Sequence, residues 1–214
     1  MGKVKDMVIY GAGGLGREIL SLLKRDYADV WSVIGFIDDS QDMPKEIDGV
    51  QLFSKDFLDG RELAVVLGFA DPEGKSRVFK DLSKKKNLSF PNVISKKAVI
   101  DSNARLGKGV IITDFCWIST NASVDNAVFI NVGSAIGHDA IVGDCCSIMP
   151  QCAISGNVTI GRTTLIGAKT FILQGIAIGD SAMIAAGTVV CRNVGNKEIA
   201  LGNPARVLKK ESGQ

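Results

Sequence analysis

A chain of 214 residues with 46% apolar content is long enough to bury one large core or two modest ones, which argues against the disordered and fibrous classes. Basic and acidic residues nearly balance, leaving a net charge of +2, so the totals hold no basic field suited to nucleic acid. The first residues, Met1 to Asp6, are polar and charged, and glycines soon break the apolar run that follows. Neither a signal peptide nor a membrane span fits, and a cytoplasmic protein is the expectation. Five cysteines, an odd number with no CxxC pair, predict reduced thiols.

In chain order, Met7-Val8-Ile9-Tyr10 reads as a buried strand and is followed by the glycine-rich turn Gly11-Ala12-Gly13-Gly14-Leu15-Gly16. Arg17 to Lys24 reads as a helix with Ile19, Leu20 and Leu23 on one face. A second strand runs through Val33 to Ile37 and stops at Asp38-Asp39, and Leu63 to Leu67 makes a third. Asp71-Pro72-Glu73 then supplies an N-cap, an N1 proline and an early acid for a helix reaching to about Lys86. The lysines Lys84-Lys85-Lys86 at its end read as a solvated terminus facing the negative end of the helix dipole.

A strand, GxGxxG, a helix, a second strand and an acid about twenty residues on is the spacing in which backbone N–H groups at a helix N-terminus receive phosphates. The same glycines also serve a tight structural turn, and the motif by itself leaves both readings open. The unit ends near Pro91, too short for two mononucleotide halves, so one nucleotide is the more economical ligand. Residues 1–91 therefore read as a small Rossmann-like α/β domain suited to a nucleotide, which the resemblance given below makes a nucleotide-sugar-binding domain.

From Ile94 to Val190, every sixth residue is Ile, Leu or Val. A second register two residues earlier, from Ala98 to Thr188, holds small or β-branched residues. Helical and heptad periods cannot generate a strict six; a triangular solenoid can, with three hexads to a coil and about five coils in all. Turn formers fill the other positions, as in Ile136-Gly137, Val142-Gly143, Ile160-Gly161, Ile166-Gly167 and Ile178-Gly179, where glycine is expected for its tolerance of positive φ. Residues 92–214 thus read as a left-handed parallel β-helix of hexapeptide repeats. Cys116, Cys146 and Cys152 fall in the small inward register and read as packing residues, while nothing marks Cys145 or Cys191 as a nucleophile.

The chain has a single histidine, His138, preceded by Gly137 and followed by Asp139. It falls two residues after an inward aliphatic, away from the interior. An imidazole, with an unperturbed pKa near 6.5, is a suitable base near neutral pH, although a lone histidine is as well explained as a surface residue. One histidine cannot assemble a zinc site, and no metal is expected.

The GAGGLG turn, Ile37-Asp38-Asp39, Gly137-His138-Asp139, the run from Ser155 to Gly161 and the closing Gly202-Asn203-Pro204-Ala205 together resemble the sugar O-/N-acetyltransferase family. That family includes bacterial N-acetyltransferases of nucleotide-linked 4-amino sugars, such as the bacillosamine-pathway enzyme, and the sialic acid O-acetyltransferases. The resemblance runs from about Lys5 to Val207. It implies an acetyl-CoA-dependent acetyltransferase with sites between the subunits of a homotrimer. His138 would match the general base, Asp139 the acid that holds its tautomer, and Asn131 a polar residue lining the acceptor site. The Gly156 N–H would match the donor to the thioester carbonyl, with Ser147, Ala168 and Ala186 on the CoA side. Gly11, Gly13, Gly14 and Gly16 would hold the sugar nucleotide's phosphates, and Asp38 and Asp39 its base or ribose. In the segment from Ser147 to Gln151 the family often has His and Gly where this chain has Ser147 and Gln151.

The resemblance favours transfer to the amine of a UDP-linked 4-amino sugar. Sialic acid O-acetylation is the alternative within the class, and a non-catalytic sugar-nucleotide-binding protein the alternative outside it. Arg206, Lys209 and Lys210 after the closing turn read either as contacts to the CoA phosphates or as a solvated basic tail.

Overall fold

The structure, a computed structural model, describes residues 4–38 and 45–208. Asp39, Lys209 and Lys210 lie outside the described residues. The chain divides into two compact units: residues 1–70 with 77–93, and residues 71–76 with 94–214.

In the first unit, β1 (Lys5–Tyr10), α1 (Gly14–Asp26) and β2 (Trp31–Ile37) follow one another, then a hairpin of β3 (Glu46–Ile47) and β4 (Val50–Phe53). β5 (Leu63–Leu67), α2 (Pro72–Leu82) and β6 (Leu88–Ser89) complete the elements up to residue 93. The sheet order is β3-β4-β2-β1-β5-β6, parallel except at the hairpin. Met7, Val8 and Ile9 of β1 are fully buried, as a central parallel strand requires. α1 buries Ile19, Leu20, Leu22 and Leu23 and carries Lys24 and Arg25 in its last turn, where cations oppose the dipole. α2 begins as the sequence predicts, with the Asp71 carboxylate accepting from the Gly74 N–H at 2.8 Å. It ends at Leu82, a turn earlier than expected, and Lys85 pairs with Asp59. The short strands β3, β4 and β6 carry no periodic signal and were not legible in the sequence.

The second unit is a left-handed parallel β-helix. Two-residue strands pair in parallel with strands 18 residues on, so Ile112, Ile130, Ile148, Ile166 and Ile184 stack in register along one face. The second face stacks Ile100, Ile118, Ile136, Ile154, Ile172 and Val190, and the third runs from Leu106 to Ile178. From Ile112 on these aliphatics are at most 2% exposed. Each such side chain contributes about 1.5–3 kcal/mol of burial. Truncating one, for example Ile148→Ala, would cost about 2–5 kcal/mol.

The inward small register does more than fill the corners. Its side chains donate to corner carbonyls from the inside: Ser134 Oγ to Met149 O (2.9 Å), Cys146 Sγ to Gly161 O (2.9 Å), Cys152 Sγ to Gly167 O (3.1 Å) and Thr164 Oγ1 to Gly179 O (2.8 Å). Short polar side chains suit this register because a buried carbonyl without a donor costs about 1–3 kcal/mol.

The corner glycines correct the sequence reading. Positive φ falls on every sixth residue from Phe115 to Gly187, and most of these are not glycine: Phe115, Asn121, Ala127, Asp139, Cys145, Gln151, Asn157, Thr163, Lys169 and Ser181. Gly137, Gly143, Gly161, Gly167 and Gly179 stand two residues before such positions and do not have positive φ. They are glycine because a Cβ would run into the backbone of the next coil, 2.5 Å from Gly156 N at Gly137 and 2.5 Å from Ala186 N at Gly167. Close stacking of coils decides these positions.

One buried charge was also missed. Lys75, in the first turns of α2 and counted with the second unit, is 1% exposed. Its ammonium donates to the corner carbonyls of Ala127 (3.2 Å) and Cys146 (2.7 Å). Burial pushes it down to about 8, against the opposing pull of Cys146, Cys145 and Asp71.

Candidate active site

In the first unit, the carboxyl ends of β1, β2 and β5 meet at the glycine turn. Gly11 N donates to Ile37 O (2.7 Å) and Gly68 N to Tyr10 O (2.7 Å), tying the three strand ends together. β1 and β5 are the neighbours at which the strand order reverses, where ligands bind in open α/β sheets. The four glycines divide by role. Gly11 has φ +102, and a Cβ on Gly16 would stand 2.0 Å from Gly11 O, so both close the turn sterically. A Cβ on Gly13 or Gly14 meets nothing within 4 Å. Those two leave open the N-terminus of α1, which Gly13 caps without a side-chain hydrogen bond and whose first turn holds no acid. The amides of a first helical turn have no intrahelical acceptors, which makes such an end receptive to an anion. Asp38 supports the turn directly, its Oδ2 accepting from the Ala12 N–H at 3.0 Å. A separate cavity of about 550 Å³, lined by Lys5, Asp6, Trp31 and Lys86 among others, lies at the amino ends of the strands, opposite the glycine turn.

In the solenoid, His138 and Asp139 form the corner between the second and third faces. His138 Nδ1 lies 2.8 Å from Asp139 Oδ2, and both side chains are about half exposed. Asp139 sits in the left-handed corner conformation (φ 57), which turns its carboxylate back onto the neighbouring ring. Its second oxygen, Oδ1, accepts from Asn121 Nδ2 at 3.1 Å. These hydrogen bonds, the imidazole's first and then the Asn121 amide's, hold the Asp139 carboxyl below the usual carboxylate range. With Nδ1 directed at the carboxylate, Nε2 is left as the basic nitrogen.

That nitrogen lies over Gly156, one coil further on, where a Cβ would stand 2.4 Å from Nε2. The Gly156 N–H donates to no acceptor among the described residues. At the matching position of the next corner the amides are capped by side chains: Asn126 N by Asp144 (2.9 Å), Arg162 N by Asp180 (2.8 Å) and Asp180 N by Asn196 (2.8 Å). The corner at His138 therefore presents an imidazole nitrogen beside an uncapped amide.

The other sequence-derived residues fall elsewhere. Asn131, Ala168 and Ala186 lie on the corner between the first and second faces, one solenoid side away from His138. Asn131 Oδ1 accepts from the Val132 N–H at 2.7 Å, and its Nδ2 donates to none of the described residues. Ala168 is half-buried and Ala186 exposed. Ser147 is fully buried on the first face and not on the surface the others share. Arg206 is exposed, in the hairpin that closes the solenoid. No group of His, Cys, Asp and Glu among the described residues is arranged to hold a metal ion. No helix among them is long and apolar enough to cross a membrane.

The geometry of the first unit has a match among known families. Residues 6–82 match the PglD N-terminal domain. The glycine turn, Asp38 and the reversal point between β1 and β5 all fall inside this PglD-type domain. No curated protein matches the chain. Solved structures do, over nearly the whole length. A mutant of perosamine N-acetyltransferase from Caulobacter crescentus, in complex with CoA and GDP-perosamine, is 23% identical, with 97% of this chain and 99% of that chain covered and a TM-score of 0.88. The acetyltransferase domain of PglB from Neisseria gonorrhoeae, in complex with acetyl coenzyme A, is 20% identical over 96% and 100%, also at 0.88. WeeI from Acinetobacter baumannii is 24% identical over 95% and 100%, at 0.81. The family match thus covers the first unit, and the solved structures share the fold of nearly the whole chain.

Proposed function

We propose that this protein is an acetyl-CoA-dependent acetyltransferase acting on the amino group of a nucleotide-linked 4-amino sugar. The observation that carries the reading is the corner where His138 Nε2 stands over Gly156, with Nδ1 held by Asp139. Three solved structures of the same fold support the substrate class, since their names or ligands are perosamine N-acetyltransferase, CoA, acetyl coenzyme A and GDP-perosamine. The PglD-type domain supports the nucleotide half: the open end of α1 beside Gly13 and Gly14 suits a diphosphate.

In this mechanism the neutral amine attacks the thioester carbonyl while His138 Nε2 accepts its proton. The Gly156 N–H stabilises the oxyanion, a contribution on the order of 10²–10³ in rate for one donor. The C–S bond then breaks, and the CoA sulfur takes the proton back from the imidazolium. Asp139 steadies the imidazolium between the two transfers. Asp39 joins Asp38 at the base or ribose, and the nucleotide is uridine diphosphate in the first instance.

The site is completed between copies in a homotrimer. The outward row of the second face, Val99, Trp117, Ala135, Ala153, Phe171 and Val189, is wholly apolar, with Val99 61% and Trp117 60% exposed, and it separates the His138 corner from the Asn131, Ala168 and Ala186 corner. Covering that row with a second copy brings the two corners of different chains together, with acetyl-CoA between them. Light scattering would give about 68 kDa, three times 22.7 kDa; a monomer at micromolar concentration would refute the trimer.

Release of CoA would be followed with UDP-, GDP- and dTDP-linked 4-amino sugars and with free sialic acid, and mass spectrometry would locate the new acetyl group. Acetyl on the sugar nitrogen, with turnover lowered roughly 10²–10⁴-fold in His138→Ala, supports the reading. Acetyl on a hydroxyl of free sialic acid, or no thioester cleavage with any acceptor, replaces it with O-acetylation or with a binding protein.

A further inference from the structure

We infer that Asn121 is a positioning residue for the proposed base, acting through Asp139 from the preceding coil; the inference rests on the reading of His138 given above. The corner between the second and third faces is a column of residues 18 apart in which Asn121, Asp139 and Asn157 share left-handed φ values of 56–57. In this column Asn121 Nδ2 donates across to Asp139 Oδ1 in the next coil at 3.1 Å, while Asn103, one coil earlier, reaches Thr120 Oγ1 at 3.4 Å and no carboxylate. The other carboxylate oxygen faces His138 Nδ1 at 2.8 Å.

A carboxylate on an exposed corner is otherwise free to rotate about χ2, and each rotation takes Oδ2 away from the imidazole. Using one oxygen to accept from Asn121 and the other to accept from His138 sets the plane of the carboxylate. That plane in turn keeps the proton on Nδ1 and the lone pair on Nε2, above Gly156. The backbone adds the remaining constraints, since Asp139 N donates to Thr120 O (3.1 Å) and Asn157 N to His138 O (2.9 Å). The corner is therefore held on both sides while the side chains are aligned by one amide. An asparagine suits the place twice over: it tolerates the left-handed conformation, and it offers a neutral donor that a carboxylate cannot.

Because the chain has one histidine, nitrogen-15 spectra of the ring report its tautomer without any assay of turnover. Two variants separate the donor from the shape. Asn121→Gly keeps the left-handed corner and removes the amide; Asn121→Asp keeps the size and replaces the donor with a second carboxylate. Both should lower the fraction of the Nδ1-protonated tautomer and reduce kcat by roughly 3- to 30-fold with KM for acetyl-CoA unchanged, and Asn121→Asp should be at least as impaired despite its shape. A role in packing alone predicts the reverse order, with Asn121→Asp close to wild type. An unchanged tautomer and unchanged kcat in both folded variants would overturn the positioning role. A shifted tautomer in both, alongside undiminished turnover in His138→Ala, would overturn the assignment of the base and leave the positioning of the ring by Asn121 standing.

Discussion

The imidazole of His138 occupies the space that a side chain on Gly156 would need, with Nε2 2.4 Å from where that Cβ would be. Gly156 does not have positive φ, so its glycine is required by the ring above it and not by its own backbone. The two residues are 18 positions apart and meet only because one coil equals three hexads.

Gly156→Ala should therefore fold, keep its backbone N–H and yet push the ring off its position. A misplacement near 1 Å costs on the order of 10²-fold in rate. Turnover and the His138 ring shifts would be measured together. Wild-type kcat in a variant with unchanged circular dichroism would show that the ring's place over residue 156 does not matter.

The glycine turn allows a sharper separation. Gly13→Val adds a side chain into open space in front of α1 and should weaken sugar-nucleotide binding at least tenfold by titration calorimetry while leaving the melting temperature within a few degrees. Gly16→Ala drives a methyl into Gly11 O and should instead lower stability by more than about 2 kcal/mol. Tight nucleotide binding by Gly13→Val would leave the turn a purely structural device.

Lys75 sets a pH dependence whose sign follows from burial. Its folded value of about 8 lies below the ordinary 10.5, so between these values the unfolded chain binds the extra proton and stability rises with pH. The buried thiols act oppositely: Cys146 is pushed up to about 12 and Cys116, Cys145 and Cys152 are raised, so their contribution is present below about 9 and lost above it. Comparing wild type with Lys75→Met cancels the thiols. From pH 8 to 10.5 the wild type should gain about 3 kcal/mol on the variant in urea unfolding. Parallel curves would mean that burial does not lower the Lys75 ammonium in the folded chain.

Thiol reactivity should divide four to one. Cys116, Cys145, Cys146 and Cys152 are buried and Cys191 is exposed. Burial raises the thiols of the first four, which suppresses the reactive thiolate. A disulfide-exchange reagent should titrate one thiol quickly in the native protein and five in denaturant. More than one fast native thiol would place a second cysteine within reach of solvent.

The solenoid was legible from sequence because its signal is strictly local: each inward position from Ile94 to Val190 repeats at six, and no tertiary information is needed to count them. The strand, turn and helix around the GAGGLG run were legible for the same reason, as were the N-cap at Asp71 and the inward place of Cys116, Cys146 and Cys152. Contacts between coils were not. The hexad says nothing of what lies 18 residues away, and so the reason for Gly137 and Gly167, the bond from Asn121 to Asp139 and the ring over Gly156 came only from stacking; Ser147 stands on an outward row, and its burial was not legible from the period either. Lys75 was hidden more deeply still. A lysine in an amphipathic helix reads as solvated, and only the carbonyls of Ala127 and Cys146, 52 and 71 residues further along, make its burial tolerable. Local periodicity determined which residues point inward; the distance between coils decided which of those pointing outward meet.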